Sequence, residues 1–530
     1  MRFRACPAVV MSLSLFAAGC ASLPPAATAP RPPSHAPAPS QETRLGKAFL
    51  SRADGHGGDS GFRLVSAGID GLTARIEMID AAQRSLDLQY YIFRADDSGN
   101  LIVQALLRAA DRGVRIRLIM DDGETVPGDA RVLSLACHPG MEVRIFNPLR
   151  YRGSSRLLRG AEFLFARSRV DYRMHNKLLV ADNTVAIIGG RNIGSQYFQI
   201  DPQSQFADDD VVTTGPLVPK LSAVFDEFWN YRLTVPATVI DPGHASPQAL
   251  ADYETQLTDY RRRLDALRSD GPAAAPKTPF ADIVADRTPL TWSHVELTYD
   301  SPDKKDVAER RRRGKLIFAA VAARVRAVDS ELLMVTPYFV PTSDEVEILE
   351  NDRQRGVVIR VLTNSLETAP SLAAHAGYTH YRTGLLQKGV EIHEVRALLG
   401  NTRGSGESRK ISRYGNYGLH GKLYVFDRKS LFIGSWNFDE RSKHLNTEIG
   451  LLIDSPALSG DIAARFGALT QLDNAYQVNL DDTSPAARPR LVWTTRRNGE
   501  IEHSGTEPAR SEWQRIQVRL LSLLPIDREL

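Results

Sequence analysis

The strongest constraint on this 530-residue chain is that it repeats itself at a spacing of about 245 residues. An apolar-periodic segment from Gly71 to Ala82 precedes the strand-like Leu86 to Ile92, and Lys315 to Val328 precedes Leu332 to Thr336 in the same way. Tyr91 and Tyr338 then correspond. Arg112-Gly113-Val114-Arg115-Ile116 matches Arg355-Gly356-Val357-Val358-Ile359, and Gly140-Met141-Glu142-Val143 matches Gly389-Val390-Glu391-Ile392. The offsets of 247, 243 and 249 residues stay nearly constant across helix and strand signals, as a duplicated α/β unit requires. The expected fold class is α/β, with two similar lobes over residues 46–240 and 291–480. A connecting arm (241–290) and a separate C-terminal tail (481–530) complete the division.

Upstream of the repeat, the sequence reads as an address and a spacer. Met1 to Arg4 is basic and Ala8 to Ala18 is apolar but too short to span a bilayer, the pattern of a secretion signal over residues 1–20. Ala17-Ala18-Gly19-Cys20 resembles the cleavage box of bacterial lipoproteins, which implies lipidation of Cys20. Residues 21–45, rich in Pro and Ala, are expected to form an extended linker holding the body off a membrane. Basic and acidic residues nearly balance, 66 to 63, so no overall field gathers polyanions and nucleic acid is an unfavoured partner. The three cysteines, Cys6, Cys20 and Cys137, cannot form a disulfide framework or a zinc knuckle.

The repeat carries its chemistry with it. His175-Asn176-Lys177 is followed by Asp182 and then Gly189-Gly190-Arg191-Asn192, while His420-Gly421-Lys422 is followed by Asp427 and then Gly434-Ser435-Trp436-Asn437. Both copies read H-x-K-x-x-x-x-D-x-x-x-x-x-x-G-x-x-N, again 245 residues apart. On a strand, residues two apart share a face, so each His and its Lys point the same way. If the lobes meet about a pseudo-twofold axis, two imidazoles, two ammonium groups and the amides of Asn192 and Asn437 converge on one anion site. Such a set suits a phosphodiester, whose charge Lys and Asn donors can stabilise without a metal or other cofactor. One imidazole would attack phosphorus and the other would shuttle the proton, with an ordinary pKa near ~6.5 giving access to both states. Asp182 and Asp427 are candidates for catalysis or, equally, for turns at the strand ends.

These motifs resemble those of the phospholipase D superfamily over both lobes. The resemblance implies α/β/α lobes with mixed sheets around one shared site, His175 as nucleophile and His420 as general acid and base. It also implies phosphate binding by Lys177, Lys422, Asn192, Asn437 and Ser435. Gly190 stands where that family often has Ser, so one hydroxyl contact is expected to be missing from the first lobe. Glu448 matches a carboxylate that orients a histidine, with Asp208, in preference to Asp210, as its counterpart.

The choice of phosphodiester rests on less. Arg150, Arg152, Arg156, Arg159, Arg167, Arg169 and Arg173 cluster before the first motif, interleaved with Leu157, Leu158, Phe163, Leu164 and Phe165, as an interface for anionic headgroups and acyl chains would be. A second basic run is Arg310 to Arg313. The segment Trp513 to Leu524 is amphipathic, fit either to pack as a helix or to rest on a membrane. Segments such as Asn437-Phe438-Asp439-Glu440-Arg441-Ser442 resemble the cardiolipin synthase C-like subgroup of bacterial cardiolipin synthases. That implies a metal-independent phosphatidyl transferase acting through a phosphohistidine on phosphatidylglycerol, with phosphatidylethanolamine as a further substrate. A phospholipid hydrolase, a periplasmic nuclease and a lipid-binding envelope lipoprotein are the alternatives. A monomer is expected, because one chain supplies both halves of the site. An accessory protein stays open, and the expected location is the periplasmic face of a bacterial membrane, the outer one by preference.

Overall fold

The structure, a computed structural model, describes residues 23–524 apart from 125–126, 154, 156, 159, 161, 163–166, 202, 269–279, 306–315, 401–416 and 482–488. The first half contributes β1 (Ser60–Val65), β2 (Ser85–Tyr90), β3 (Arg115–Asp121), β4 (Met141–Phe146), β5 (Lys177–Ala181), β6 (Val185–Gly189), β7 (Gln205–Ala207), β8 (Asp210–Thr214) and β9 (Thr234–Pro236). Between the halves lies β10 (Thr291–Ser293). The second half contributes β11 (Val295–Tyr299), β12 (Glu331–Val335), β13 (Val358–Asn364), β14 (Glu391–Val395), β15 (Tyr417–Leu419), β16 (Leu423–Phe426), β17 (Ser430–Gly434), β18 (Ile449–Ile453), β19 (Ala475–Asp481), β20 (Arg490–Arg497) and β21 (Glu500–Ser504).

The strand order in lobe 1 is β10-β1-β8-β6-β5-β2-β3-β4-β9, and in lobe 2 β11-β18-β17-β16-β12-β13-β14-β19-β20-β21. Matched strand by strand, β1-β8-β6-β5-β2-β3-β4-β9 and β11-β18-β17-β16-β12-β13-β14-β19 are one topology built twice. Within each, β2, β3 and β4, or β12, β13 and β14, run parallel, and the rest pair antiparallel. Parallel strands need helical crossovers that cover the sheet, which is why these strands are largely buried even where they carry charged residues such as Asp87, Arg117 and Arg144. Gly113 and Gly356, at the same place in each repeat, have φ of 87° and 91°, a left-handed conformation that ends one crossover helix and starts the next strand.

The lobes share one core. Leu178, Val180, Ile188 and Val211 of lobe 1 cluster with Leu423, Val425, Ile433 and Leu451 of lobe 2, capped by the helices Leu217–Trp229 and Pro456–Leu469. A two-stranded parallel sheet also crosses the boundary, pairing Gln205–Ala207 of β7 with Tyr417–Leu419 of β15. The lobes therefore sit face to face.

Three expected boundaries shift. The linker opens with a helical turn, Pro25–Thr28, and its extended remainder is docked on lobe 1 as a strap: Ser34 N–H donates to Asn230 Oδ1 at 2.9 Å, Ala36 N–H to Asp226 Oδ2 at 3.0 Å, and Asn183 Nδ2 donates to the Pro37 carbonyl at 2.9 Å. Backbone polar groups of a Pro-rich stretch that forms no ladder of its own find partners on the neighbouring surface. Its last residues belong to a helix, Arg44–Asp54. In addition, β10 pairs with β1 of lobe 1, and the arm's helix Pro247–Arg268 lies against lobe 1, so lobe 2 starts at β11. The tail is likewise no separate unit, because β20 and β21 extend the lobe 2 sheet and the helix Glu512–Leu521 packs on the helix Leu372–Gln387. The signal segment with Cys20, Arg156, Arg159, Phe163 to Phe165 and Arg310 to Arg313 lie outside the described residues.

Candidate active site

His175 lies two residues before β5 and His420 three before β16, each at the end of its lobe where the two sheets meet. The His175 N–H donates to the Thr447 carbonyl at 2.9 Å, and the His420 N–H to the Ala207 carbonyl at 2.8 Å. The residue after each acceptor is the acid that aligns the ring. Glu448 Oε2 lies 2.9 Å from His175 Nδ1, and Asp208 Oδ2 lies 2.5 Å from His420 Nδ1. The pairing is crossed: each imidazole is held by a carboxylate from the other lobe. With both Nδ1 atoms occupied, Nε2 is the nitrogen left for chemistry on each ring.

Both imidazoles line one cavity of about 750 Å³, with Asn192, Asn437, Tyr91 and Tyr338. It opens where β2, β3, β12 and β13 end, as ligand sites in α/β sheets do. Among the described residues, two buried amide atoms facing this region, the donor Asn192 Nδ2 and the acceptor Asn437 Oδ1, are left without a hydrogen bond of good geometry, so a ligand with both an acceptor and a hydroxyl donor would satisfy them. Lys177 and Lys422 are almost fully buried beside the histidines, their ammonium groups donating to the His175 and His420 carbonyls respectively. Lys422 Nζ is also 3.2 Å from His420 Nε2.

Burial and the neighbouring lysines push both imidazole pKa values well below their usual range, contrary to the ordinary value expected from sequence. That shift favours the neutral form of both rings. Burial also drives Lys177 well down and brings Lys422 to about 8, against the pull of Asp208 and Glu448. Glu448 is pushed up to about 7 by burial, chiefly opposed by Lys177. A bound phosphodiester anion would reverse the penalty on the cations, raising their affinity for protons. The Lys422 ammonium is present below about pH 8 and lost above it, so kcat/KM on a phosphodiester should fall as pH rises through about 8. Lys422→Arg should move that limb upward in a pH–rate profile, since guanidinium keeps its proton.

Several sequence-derived roles need correction. Asp182 and Asp427 are not in the site. They sit in left-handed conformation, φ of 51° and 52°, in the turns after β5 and β16. Asp182 accepts N–H groups from Gln83, Arg84 and Ser85 at 2.7–3.1 Å, and Asp427 does the same for Asp329, Ser330 and Glu331. They staple the start of β2 and β12, at the far end of the strands from the histidines. Asp182→Ala should therefore lower the thermal midpoint, by a loss of about 1–3 kcal/mol for stranded donors, and leave kcat/KM unchanged.

Ser435 is likewise behind the site, its hydroxyl donating to Glu448 Oε2 and its carbonyl facing His175 Nδ1 at 3.1 Å. It positions the carboxylate instead of contacting phosphate. At Gly190 an added Cβ would fall 2.1 Å from Asp208 Oδ1, so the missing hydroxyl makes room for the shorter acid. Asp210, the rejected alternative, is bound to Arg75 and Arg191 at 2.9 and 3.1 Å. Three arginines of the cluster are tied up in ion pairs and are not open to a polyanion. Arg152, Arg169 and Arg173 are paired with Asp122 and Asp241, Glu162, and Asp121. Only Arg173 of these lines the cavity.

Sequence reading missed the rings that clamp the imidazoles: Tyr91 edge-on to His175 at 5.0 Å, and Tyr197 at 4.9 Å and Phe206 at 5.5 Å from His420. The recurrence of Tyr91 as Tyr338 was the available signal. It also missed Ser442, whose hydroxyl donates to Glu448 Oε1 at 2.9 Å. Among the described residues, no group of three or more His, Cys, Asp and Glu is arranged to hold a metal ion.

Duplicated α/β lobes that bring two H-x-K motifs to one cavity define the class of two-lobed phospholipase D-like enzymes. Within it, the chain belongs to the family described as "cardiolipin synthase, PLD-like domain", which matches residues 75–229 and 323–470. It is 35% identical to cardiolipin synthase C of Escherichia coli (strain K12) over 91% of this chain and 99% of that one. It is 24% identical to a cardiolipin synthase of Halalkalibacterium halodurans over 70% of this chain and 58% of that one. In fold it is similar to the crystal structure of a phosphatidylserine synthase from Haemophilus influenzae, with a TM-score of 0.52, 13% identity, and coverage of 81% and 92%.

Proposed function

We propose that the protein is a metal-independent phosphatidyl transferase that makes cardiolipin from phosphatidylglycerol at a bacterial envelope membrane. The observation that carries this reading is the crossed pair of aligned imidazoles on one cavity, in a chain that resembles cardiolipin synthase C along nearly its whole length. His175 Nε2 attacks phosphorus, the bond to the headgroup oxygen breaks, and protonated His420 gives its proton to that oxygen. A hydroxyl of the second lipid then loses its proton to His420 and attacks the phosphohistidine, releasing His175. Lys177, Lys422, Asn192 and Asn437 hold the equatorial oxygens, and their fixed cations take the place of a metal.

The assignment of roles has electrostatic support. Asp208 makes the shorter bond, 2.5 Å, and suits the ring that must become imidazolium. Glu448, pushed up to about 7 and shared with the Ser435 and Ser442 hydroxyls, leaves His175 as the neutral nucleophile. Lipidation of Cys20 would hold the body at the periplasmic face of the outer membrane.

Product analysis tests the reading. Purified protein incubated with labelled phosphatidylglycerol in excess EDTA, with and without phosphatidylethanolamine, should yield labelled cardiolipin. Phosphatidic acid as sole product would make it a hydrolase, and DNA breakdown without lipid turnover a nuclease.

A further inference from the structure

The helix Glu512–Leu521 is joined to the cavity by its N-terminal turn. Arg510 and Gln514 line the cavity that holds both histidines, and they donate to the Glu367 and Leu366 carbonyls, Gln514 at 2.8 Å. Val518 is the buried anchor, packed with Leu366 and Ala376. The opposite side of the helix has no covering among the described residues. Trp513, Ile516 and Leu520 recur at helical spacing on one face and continue into Leu523 and Leu524, with exposures from 43% to 80%. Soluble surfaces rarely gather five large apolar side chains beside a reactive cavity without using them.

What covers this stripe follows from the cavity it adjoins. Its lining combines charged and polar side chains, such as Arg94, Arg173, Asp439 and Arg441, with aromatic ones, such as Tyr338 and Phe206. Its cations and amides suit a phosphodiester and its headgroup. Acyl chains of a lipid held there that extend past the mouth meet the stripe, which begins beside Arg510 and Gln514. Exposed Arg510 and Arg519 flank it, cations suited to headgroup phosphates, and Trp is the residue that favours the boundary between headgroups and hydrocarbon. Leu398, in the loop after β14, and Leu157 and Leu158, beyond β4, are also exposed, and those strands end on the side where the cavity opens.

We infer that the Glu512–Leu521 helix with Leu523 and Leu524 is a bilayer-docking element, which inserts its apolar stripe among the acyl chains and so presents phospholipid headgroups to the cavity. The inference rests on the proposed lipid chemistry of that site.

The test uses the full chain and its Leu520→Ser/Leu523→Ser variant, which keeps Trp513 as reporter and touches nothing that lines the cavity. With vesicles of phosphatidylglycerol and phosphatidylethanolamine carrying brominated acyl chains, Trp513 emission should be quenched in the parent, and this quenching should be lost in the variant. Trp513→Phe identifies that share of the emission. The variant should lose roughly tenfold or more in kcat/KM per side chain withdrawn from lipid when the substrate is in vesicles. It should keep parental kcat/KM on monomeric dihexanoyl phosphatidylglycerol. Equal quenching in parent and variant would overturn the inference, as would a variant that changes from dimer to monomer while its vesicle turnover holds. If the parent turns over neither form of lipid yet its Trp513 is quenched, docking stands and the enzymatic reading falls.

Discussion

His420→Ala should release one equivalent of nitrophenolate from a phosphatidyl p-nitrophenyl diester and then stall, whereas His175→Ala should release none. The difference follows from what each ring supplies. Nitrophenolate leaves without a proton, so the first step no longer needs His420 as acid, and His175 can still form the phosphohistidine. The second step still needs a base to take the acceptor's proton, and the adduct accumulates. On phosphatidylglycerol, whose leaving alkoxide must be protonated, His420→Ala should lose about 10²–10⁴-fold in kcat. His175→Ala should lose at least as much on both substrates, since no nucleophile remains. Stopped-flow absorbance gives the burst, and mass spectrometry of the intact His420→Ala protein should show the added phosphatidyl mass. A burst of equal size from both variants would exclude the assignment.

Arg117→Met should destabilise the fold by about 3–5 kcal/mol, the usual cost of stranding buried charge. Arg117 is fully buried and bridges two lobe 1 carboxylates: Asp87 on β2, at 2.7 and 2.8 Å, and Asp226 on the helix Leu217–Trp229, at 2.7 Å. Its guanidinium also lies over the Phe225 ring at 4.8 Å and donates to the Ser34 carbonyl of the strap at 2.9 Å. Burial already pushes Asp87 above the usual carboxylate range with Arg117 present, so without it the acid loses its chief compensation and keeps only the weaker pull of Arg115. Adding Asp87→Leu to Arg117→Met should recover part of the loss, which separates stranded charge from lost packing. Urea unfolding measures both, and limited proteolysis of residues 23–37 reports release of the strap. A loss below about 1 kcal/mol in the single variant would show that the bridge is dispensable.

The two-lobed fold and the paired His and Lys were legible because each signal occurs twice in register, which chance rarely produces. Roles inside the motif were less legible. Asp182 and Asp427 recur in it for a structural reason, since both copies of the fold need a carboxylate to tie one strand's start to another's turn. Ser435 sits in the motif but faces away from the cavity, and position in a sequence does not disclose which way a side chain points past a strand end. Crossing of the acids was hidden because Glu448 is 273 residues from His175, and Asp208 is 212 from His420. Docking of the strap escaped notice for a different cause: it uses carbonyls and N–H groups of a Pro-rich stretch, which have no periodicity to read.

Because carboxylates are traded between the halves, neither half is a reagent by itself. A lobe made alone would present an imidazole whose aligning acid is missing, and reactivity would appear only on mixing it with its complement. One reading frame thus encodes what a homodimer would otherwise have to assemble from solution. It also frees the two halves from identity: Glu448 with Ser435 on one side and Asp208 with Gly190 on the other have already diverged, so substitutions can tune the two imidazoles separately.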